Sequence, residues 1–276
     1  MTSTTNQVSK WQDVLGNPEL QRHRDFLTSA LPLLQQDERL VGVGAGGSFI
    51  SGALDSYSDL DLVLAVEPYA YEEVAASKQQ IAAELGPLLS AFTGEHLGEL
   101  RLLICLYGPP LLHVDLKFVS LDDLHTRVED PAILWERNGR LSQILQLSTA
   151  SYPQPNWQWI EDRFWVWTHY LAAKIARGEL FEAMDGLAFL RGNVIGPLLL
   201  QQHGLRPSGV RRIETVPTYH EQLRGTVATY DKTDCTRALF AAVQLYQELR
   251  GTEKAAFTRR EACEQAVIKY LEAELQ

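Results

Sequence analysis

The sequence contains little cysteine and no long apolar run. Its three cysteines, Cys105, Cys235 and Cys263, lie far apart and form no C-x-x-C pair, which argues against a disulfide framework and a zinc knuckle. The N-terminal segment MTSTTNQVSKWQDV lacks an apolar core, so we expect no signal peptide. No stretch approaches the apolar length that spans a bilayer, so we expect no membrane partner. A reducing cytoplasm is the expected location.

Metal-binding histidine motifs and internal repeats are also absent, since the seven histidines show no H-E-x-x-H or similar spacing. The composition is that of an ordinary globular chain, with 45% hydrophobic and 22% charged residues. The net charge of −10 comes from 35 acidic and 25 basic side chains. This balance disfavours a nucleic-acid partner, because phosphate backbones are bound by Lys and Arg. A small or cationic partner fits it better, although the charge also serves solubility.

Strand and helix patterns alternate in the first half of the chain and give way to helices alone in the second. We predict a helix over residues 18–36 and another over 76–92, and strands at RLVGVG, LDLVLAV, LRLLICLY and LLHVDLKFV. Two prolines in SYPQPN, residues 151–156, indicate a linker. The next helix is predicted to end at Gly178. The sequence therefore predicts two domains, 1–150 and 151–276.

A glycine cluster opens the stretch GVGAGGSFISGALDSYSDLDLVLAV, residues 42–66. Gly42, Gly44 and Gly47 fit a dinucleotide-binding fingerprint, which requires a full helix and then a strand with an acid at its far end. Only about ten residues separate Gly47 from Asp59, too few for that crossover. The acids also stand at the start of the next strand, so the spacing disfavours this interpretation.

The same stretch is better explained as a phosphate loop followed by a metal site. Gly46 and Gly47 let the backbone approach a ligand closely, and Ser48 offers a hydroxyl and an N–H to phosphate oxygens. Asp59 and Asp61 alternate with leucines, so on a strand both carboxylates share one face, with their Cα atoms about 6.6 Å apart at roughly 3.3 Å per residue. Carboxylates so placed can hold a pair of hard divalent ions such as Mg²⁺.

A third acid, Asp115, lies between Val114 and Leu116 in the apolar strand LLHVDLKFV. A buried carboxylate needs a partner, which is either a metal or a nearby Lys or Arg. The presence of the glycine loop and of Asp59 and Asp61 favours the metal. His113 shares the strand face of Asp115 and either lines the site or is a structural strand histidine.

These residues, read as GGS, YSD, DLD and HVDLKF, resemble the nucleotidyltransferase superfamily that includes DNA polymerase beta and the antibiotic nucleotidyltransferases. The resemblance implies an α/β (α+β) nucleotidyltransferase module with a mixed sheet. It implies that metals at Asp59 and Asp61 bind the triphosphate of ATP or another nucleotide. It further implies that Asp115 holds the catalytic metal or takes the acceptor proton. The helical half resembles, in architecture, the all-α C-terminal domain of bacterial aminoglycoside-type adenylyltransferases.

One stripe of the first helix after the linker combines cations and aromatics at 4-3-4-3 spacing. Its members are Arg163, Trp167, Tyr170, Lys174 and Arg177. The stripe either faces substrate or is a solvated face with extended side chains. Because related helical domains often bring one lysine to the phosphates, the resemblance selects Lys174 as a nucleotide-binding residue.

Three functions follow as hypotheses. The leading one is a metal-dependent nucleotidyltransferase that moves AMP from ATP to a hydroxyl of a small molecule, such as an aminoglycoside-type antibiotic. The second is nucleotidyl transfer to a protein or RNA, as in toxin–antitoxin systems. The third is a nucleotide-binding regulator without catalysis, which the presence of all three carboxylates disfavours.

Overall fold

The computed structural model describes residues 11–253 and 257–275. The chain divides into two compact units, Met1–Tyr152 and Pro153–Gln276, at the proline-containing segment that the sequence suggested as a linker. That the segments 1–150 and 151–276 fold independently as two domains stays a prediction.

The first unit is built on a mixed six-stranded sheet in the order β3-β4-β5-β2-β1-β6. Strands β2 and β5 are parallel, and the other neighbouring pairs are antiparallel. This arrangement confirms the predicted mixed sheet. The strands are β1 (Leu40–Ala45), β2 (Leu60–Val66), β3 (Leu88–Gly94), β4 (Glu99–Tyr107), β5 (Leu112–Ser120) and β6 (Ala132–Glu136).

Alternation along the strands separates an apolar face of the sheet from a mixed one. Leu62 and Val114 join the larger core together with Leu27 and Leu31 of the long second helix, and each fully buried leucine contributes about 1.5–3 kcal/mol. The helices of this unit are α1 (Trp11–Val14), α2 (Gln21–Gln36), α3 (Ser48–Ser51), α4 (Tyr71–Ala76), α5 (Lys78–Glu84) and α6 (Arg140–Leu147).

The mixed face of the sheet carries both a small core and the acidic residues. Val41, Ala65 and Val119 pack there with Leu141 and Ile144 of α6. Asp61 lies an even number of residues before Ala65 on β2, and Asp115 lies an even number before Val119 on β5. Both aspartates therefore lie on this same face of the sheet. Part of this face therefore packs against α6, and another part presents carboxylates.

The helix predicted over residues 76–92 is wrong in its second half. The regular helix α5 ends at Glu84, and Leu88–Gly94 form strand β3, which pairs with β4. Pro87 cannot continue a helix, and the preceding Gly86 also favours a break there. Strand β6 was not predicted, because its five residues include a single buried one, Leu134, and show no clear alternation.

The described residues of the second unit form helices joined by turns and loops, with no strand among them, which confirms the helical half of the predicted fold. Its first helix is capped at the N-terminus by Asn156, whose side chain accepts a bond from the Trp159 N–H at 2.9 Å. It ends at Gly178, as predicted. The helices are α7 (Trp157–Arg177), α8 (Leu180–Leu190), α9 (Gly196–Gln202), α10 (His220–Gly225), α11 (Lys232–Thr252) and α12 (Glu261–Leu275).

One described segment, Leu180–Gln202, is long and apolar enough to cross a membrane by length and composition. It comprises α8, a π-helical turn at Arg191–Ile195 and α9. The expectation that no stretch reaches that length therefore needs correction. Half of its most apolar window is buried inside the protein, and Leu187, Leu190 and Leu198 belong to the core of the helical unit. A core helix passes the same test of length and composition.

Candidate functional site

The first two glycines of the cluster lie inside β1 and make room for neighbouring side chains. A Cβ on Gly42 would stand 2.6 Å from the Leu141 side chain, and one on Gly44 would stand 2.8 Å from Pro131. Strand β1 is antiparallel to β2, whereas a dinucleotide-binding unit needs a parallel pair joined by a helix. These glycines therefore serve packing, and the topology excludes the dinucleotide fingerprint.

The following loop, Gly46–Gly47–Ser48, folds back onto the beginning of β2. The Gly46 N–H donates to the main-chain oxygen of Asp61 at 2.8 Å. Gly47 has φ +57° and ψ −130°, a conformation that L side chains rarely adopt, and a Cβ there would overlap with Asp61 Oδ2. The short helix α3 starts at Ser48. The phosphate-loop residues and Asp61 thus lie in direct contact.

Two of the three predicted carboxylates lie on neighbouring parallel strands, and the third lies next to one of them. Asp61 of β2 pairs in register with Asp115 of β5, and Asp59 immediately precedes β2. One ligand atom each from Asp59, Asp115 and His113 lies within 4.8 Å of the others. Asp61 is outside that group, because its carboxylate packs on Gly47. The arrangement is one cluster of two aspartates and a histidine, with the third aspartate beside the glycine loop.

His113 is the partner of Asp115 that sequence reasoning left undecided. Its Nε2 lies 2.9 Å from Asp115 Oδ1. This hydrogen bond raises the pKa of the His113 imidazole, the negative charges of Asp59 and Asp61 add to the effect, and partial burial opposes it. Among residues 11–253 and 257–275, Asp115 forms no ion pair with a Lys or Arg, and the neighbouring Lys117 pairs with Glu99 at 2.9 Å.

The donor set fits a divalent metal ion of the hard, oxygen-preferring kind. Asp59, Asp61 and Asp115 are each partly exposed, so an ion can reach their oxygens. Carboxylate oxygens are the ligands that Mg²⁺ prefers, and the His113 nitrogen also admits transition ions such as Mn²⁺.

Solved structures similar in fold to this chain include nucleotidyltransferases. One is an aminoglycoside 6-adenyltransferase from Bacillus subtilis, 16% identical, with 90% of this chain and 96% of that chain covered and a TM-score of 0.42. Another is a nucleotidyltransferase-like protein from Exiguobacterium sibiricum, 13% identical, covering 94% and 88%, with a TM-score of 0.34. A chain of a GLD-2/RNP-8 complex is 13% identical, covering 98% and 94%, with a TM-score of 0.30.

No protein-family description matches the chain, and no curated protein matches it. The fold assignment therefore rests on the sheet topology and the helical unit described above. The chemistry assigned to the site rests on its own residues.

A cavity of about 210 Å³ adjoins the carboxylates on the mixed face of the sheet. Its polar lining includes Asp61, Asp115, Glu129 and a triad of Glu99, Arg101 and Lys117. Hydrogen bonds from Arg101, and then from Lys117, lower the pKa of Glu99 to about 2, so its carboxylate is ionised at neutral pH. Apolar side chains complete the walls: Val63, Leu102, Val119, Leu124, Val128 and Pro131.

Lys174, the predicted nucleotide ligand of the helical unit, is held by two carboxylates of that unit. Its Nζ lies 2.6 Å from Glu179 Oε2 and 2.7 Å from Glu182 Oε2, and 5.0 Å from the centre of the Tyr170 ring. These bonds, that of Glu179 first, raise the pKa of the ammonium.

The other members of the stripe also make contacts within the helical unit. Arg163 lies over the Trp159 ring, 4.3 Å from its centre, and Trp167 packs edge-on against Phe189 at 5.0 Å. Arg177 pairs with Glu179 at 2.7 Å. The contacts found for the stripe are those of a partly solvated helix face with neighbouring side chains.

Two site residues escaped sequence reasoning for different reasons. Lys117 stands two residues after Asp115, and the same alternation that linked His113 to Asp115 could have found it. Glu129 lies in the segment between β5 and β6, and its Oε1 accepts a bond from the Gly47 N–H at 2.9 Å. No local pattern connects residues so far apart, because the contact follows from strand pairing.

Proposed function

We propose that this protein is a metal-dependent nucleotidyltransferase that moves AMP from ATP to a hydroxyl of a small molecule. The observation that carries the proposal is the position of Asp61, which contacts Gly47 of the Gly46–Gly47–Ser48 loop and pairs in register with Asp115, itself clustered with Asp59 and His113. Nucleotidyl transfer needs hard-ion ligands next to a place where a phosphate can approach the backbone. The acidic net charge suits a cationic acceptor, so an aminoglycoside-type antibiotic is the proposed acceptor class.

In the proposed reaction the acceptor oxygen bonds to the α-phosphorus while the bond to the bridging oxygen breaks and pyrophosphate leaves. Asp59, Asp61 and Asp115 would hold two Mg²⁺ ions, which neutralise the negative charge of the triphosphate when bound. Ser48 offers its N–H and hydroxyl to a phosphate oxygen. Asp115 is the proposed acceptor of the hydroxyl proton, and His113, bonded to it, orients its carboxylate.

The cavity beside Asp61 and Asp115 supports a role in binding the reacting end of a substrate. At about 210 Å³ it holds a ring-sized group better than a whole drug-sized molecule, for which pockets of about 300–1,000 Å³ are usual. The three cysteines are free, consistent with the cytoplasmic location that we also propose.

The experiment that tests the function is an acceptor screen with purified protein, ATP and Mg²⁺. We expect ATP with Mg²⁺ to raise the melting temperature, and pyrophosphate release to require both the ion and a hydroxyl-bearing acceptor from a panel of aminoglycosides and other small molecules. RNA and protein acceptors form a second arm. Release only in that arm would favour macromolecule modification, and ATP binding with no release in either arm would identify a nucleotide-binding regulator.

We further propose that Lys174 contacts the phosphates, which requires its ammonium to leave Glu179 and Glu182. Because a bond to a charged group is lost, Lys174→Ala is then expected to weaken ATP binding or turnover by roughly 10- to 150-fold. Steady-state kinetics in ATP measures this. Arg163→Ala, on the same stripe, is the control and is expected to be nearly silent. If the kinetics of Lys174→Ala are unchanged, Lys174 does not contact the phosphates, and its role is limited to its ion pairs with Glu179 and Glu182.

A further inference from the structure

The amide groups of Gly46 and Gly47 in the predicted phosphate loop both donate hydrogen bonds to acceptors within the protein. The Gly46 N–H donates to the Asp61 carbonyl at 2.8 Å, and the Gly47 N–H donates to Glu129 Oε1 at 2.9 Å. Within residues 11–253 and 257–275, the Ser48 N–H and hydroxyl donate to no protein acceptor. The donors that this loop can offer to a phosphate are therefore those of Ser48, and the glycine amides shape the loop.

Glu129 reaches Gly47 from a segment that is fixed on both sides. On one side, the side chain of Arg127 is 6% exposed and donates to the carbonyls of Leu145 and Ser148 at 3.0 and 2.7 Å. On the other side, Pro131 is buried and strand β6 begins, with Ala132 opposite Ala45 of β1. The position of the Glu129 backbone is thus set by an anchored arginine and by the strand pair that precedes the loop.

Gly47 adopts its positive φ without steric cost, but glycine also has many other conformations open to it. Contacts with neighbouring residues are what hold it in this one. Glu129 bonds the Gly47 amide, and its Oε1 would stand 2.8 Å from a Cβ on Gly46, so the carboxylate packs along both glycines. Asp61 touches Gly47 from its own side through Oδ2. The loop is clamped between these two acids.

We propose that Glu129 is a positioning residue for triphosphate binding. Its carboxylate holds the Gly47 amide so that the N–H and hydroxyl of the next residue, Ser48, are presented to a phosphate group. The proposal rests on the proposed function, since it names the residue that prepares the loop for the triphosphate. Glu129 acts through the loop and does not itself touch the reacting atoms.

The test is calorimetric titration of the full chain with inorganic tripolyphosphate and with ATP, each with Mg²⁺. Tripolyphosphate probes the phosphate loop without a nucleoside. The variants are Glu129→Ala, which removes the acceptor, Glu129→Gln, which keeps an acceptor oxygen at the same reach, and Glu129→Asp, which keeps the charge on a shorter side chain. Glu72→Gln, an exposed glutamate of the same unit, is the control.

If Glu129 positions the loop, reach matters more than charge. Glu129→Ala is expected to weaken tripolyphosphate and ATP binding by roughly 10- to 150-fold. Glu129→Gln is expected to stay within about 5-fold of the wild type, because a neutral bond replaces a charged one. Glu129→Asp should resemble Glu129→Ala. In steady-state kinetics KM for ATP should rise while kcat at saturating ATP changes little, and Glu72→Gln should match the wild type.

Three results would overturn the proposal. Tighter binding in Glu129→Ala and Glu129→Gln would identify the carboxylate as a competitor for the phosphate position. Loss of Mn²⁺ binding in both variants without nucleotide would identify a metal ligand, and unchanged binding in all variants would leave no role. If Glu129→Ala does not fold, the affinities of the other two variants decide: Glu129→Gln must bind tripolyphosphate and ATP more tightly than Glu129→Asp for the proposal to stand. A wild-type protein that binds neither ATP nor tripolyphosphate would instead overturn the proposed function.

Discussion

Replacing Asp59 or Asp61 by Asn is expected to abolish nucleotidyl transfer while the protein stays folded. Each change removes one charged oxygen donor from the proposed ion site and leaves the size of the side chain unchanged. Removing a group that stabilises charge in phosphoryl transfer costs roughly 10³-fold or more in turnover. Pyrophosphate release with the best acceptor of the screen measures the loss.

Asp59→Asn and Asp61→Asn should differ in their affinity for Mn²⁺ in the absence of nucleotide. Asp59 belongs to the cluster with His113 and Asp115, so Asp59→Asn should lower Mn²⁺ affinity even without nucleotide, as read by the EPR signal of free Mn²⁺. The melting temperature should be unchanged or higher, because clustered carboxylates repel one another. Asp122→Asn, at an exposed aspartate of the same unit, is the control. Metal-dependent turnover at a near wild-type rate in either site variant would refute the ion-site assignment.

Gly47→Val is the second change with a large expected effect. A side chain at Gly47 would overlap with Asp61 Oδ2, and φ of +57° with ψ of −130° is strained for any L-residue. The loop must therefore rearrange, and both tripolyphosphate and ATP affinity should fall by at least about 100-fold, which is near the upper end of what loss of one bond to a charged group costs. The backbone strain should lower the free energy of unfolding by about 1–3 kcal/mol.

Gly52→Ala separates the effect of backbone strain from the effect of a side chain that overlaps with Asp61. Gly52 also has positive φ, +66°, but a Cβ there meets nothing within 4 Å. It should therefore lower the free energy of unfolding by about 1–2 kcal/mol and leave ATP affinity unchanged. Calorimetric titration and chemical denaturation of both variants provide the comparison. Equal ATP affinity in Gly47→Val and the wild type would remove the loop from the binding site.

The sequence by itself determined the strands that carry the site and the helical character of the second half. Alternation in LDLVLAV and LLHVDLKFV fixed which face each side chain takes, because the side-chain period of a strand is two. The N-cap and terminal glycine of α7 are local signals as well, and the helix ends at Gly178 as predicted. The short spacing between Gly47 and Asp59 was enough to disfavour the dinucleotide fingerprint before the topology excluded it.

Local sequence patterns predicted a helix where the helical conformation breaks at Gly86 and the chain forms β3, and they did not predict β6. The helical spacing of Ile81 and Leu85 continues into Leu88 and Leu89, yet those last residues form β3 at the sheet edge next to β4. An edge strand with a largely exposed surface shows little alternation, so its pairing and not its own pattern makes it a strand.

Only the tertiary structure decided which of the predicted groups meet. The parallel register of β2 and β5 sets Asp61 beside Asp115, and a shift by one residue would have turned one carboxylate to the other face. The antiparallel pairing of β1 and β6 brings Glu129 to Gly47, 82 residues away along the chain. Lys174 is bonded to Glu179 and Glu182, a choice of partner that its helix periodicity did not reveal. Periodicity is a property of neighbouring residues, whereas register and ion pairing depend on segments that the chain brings together only when it folds.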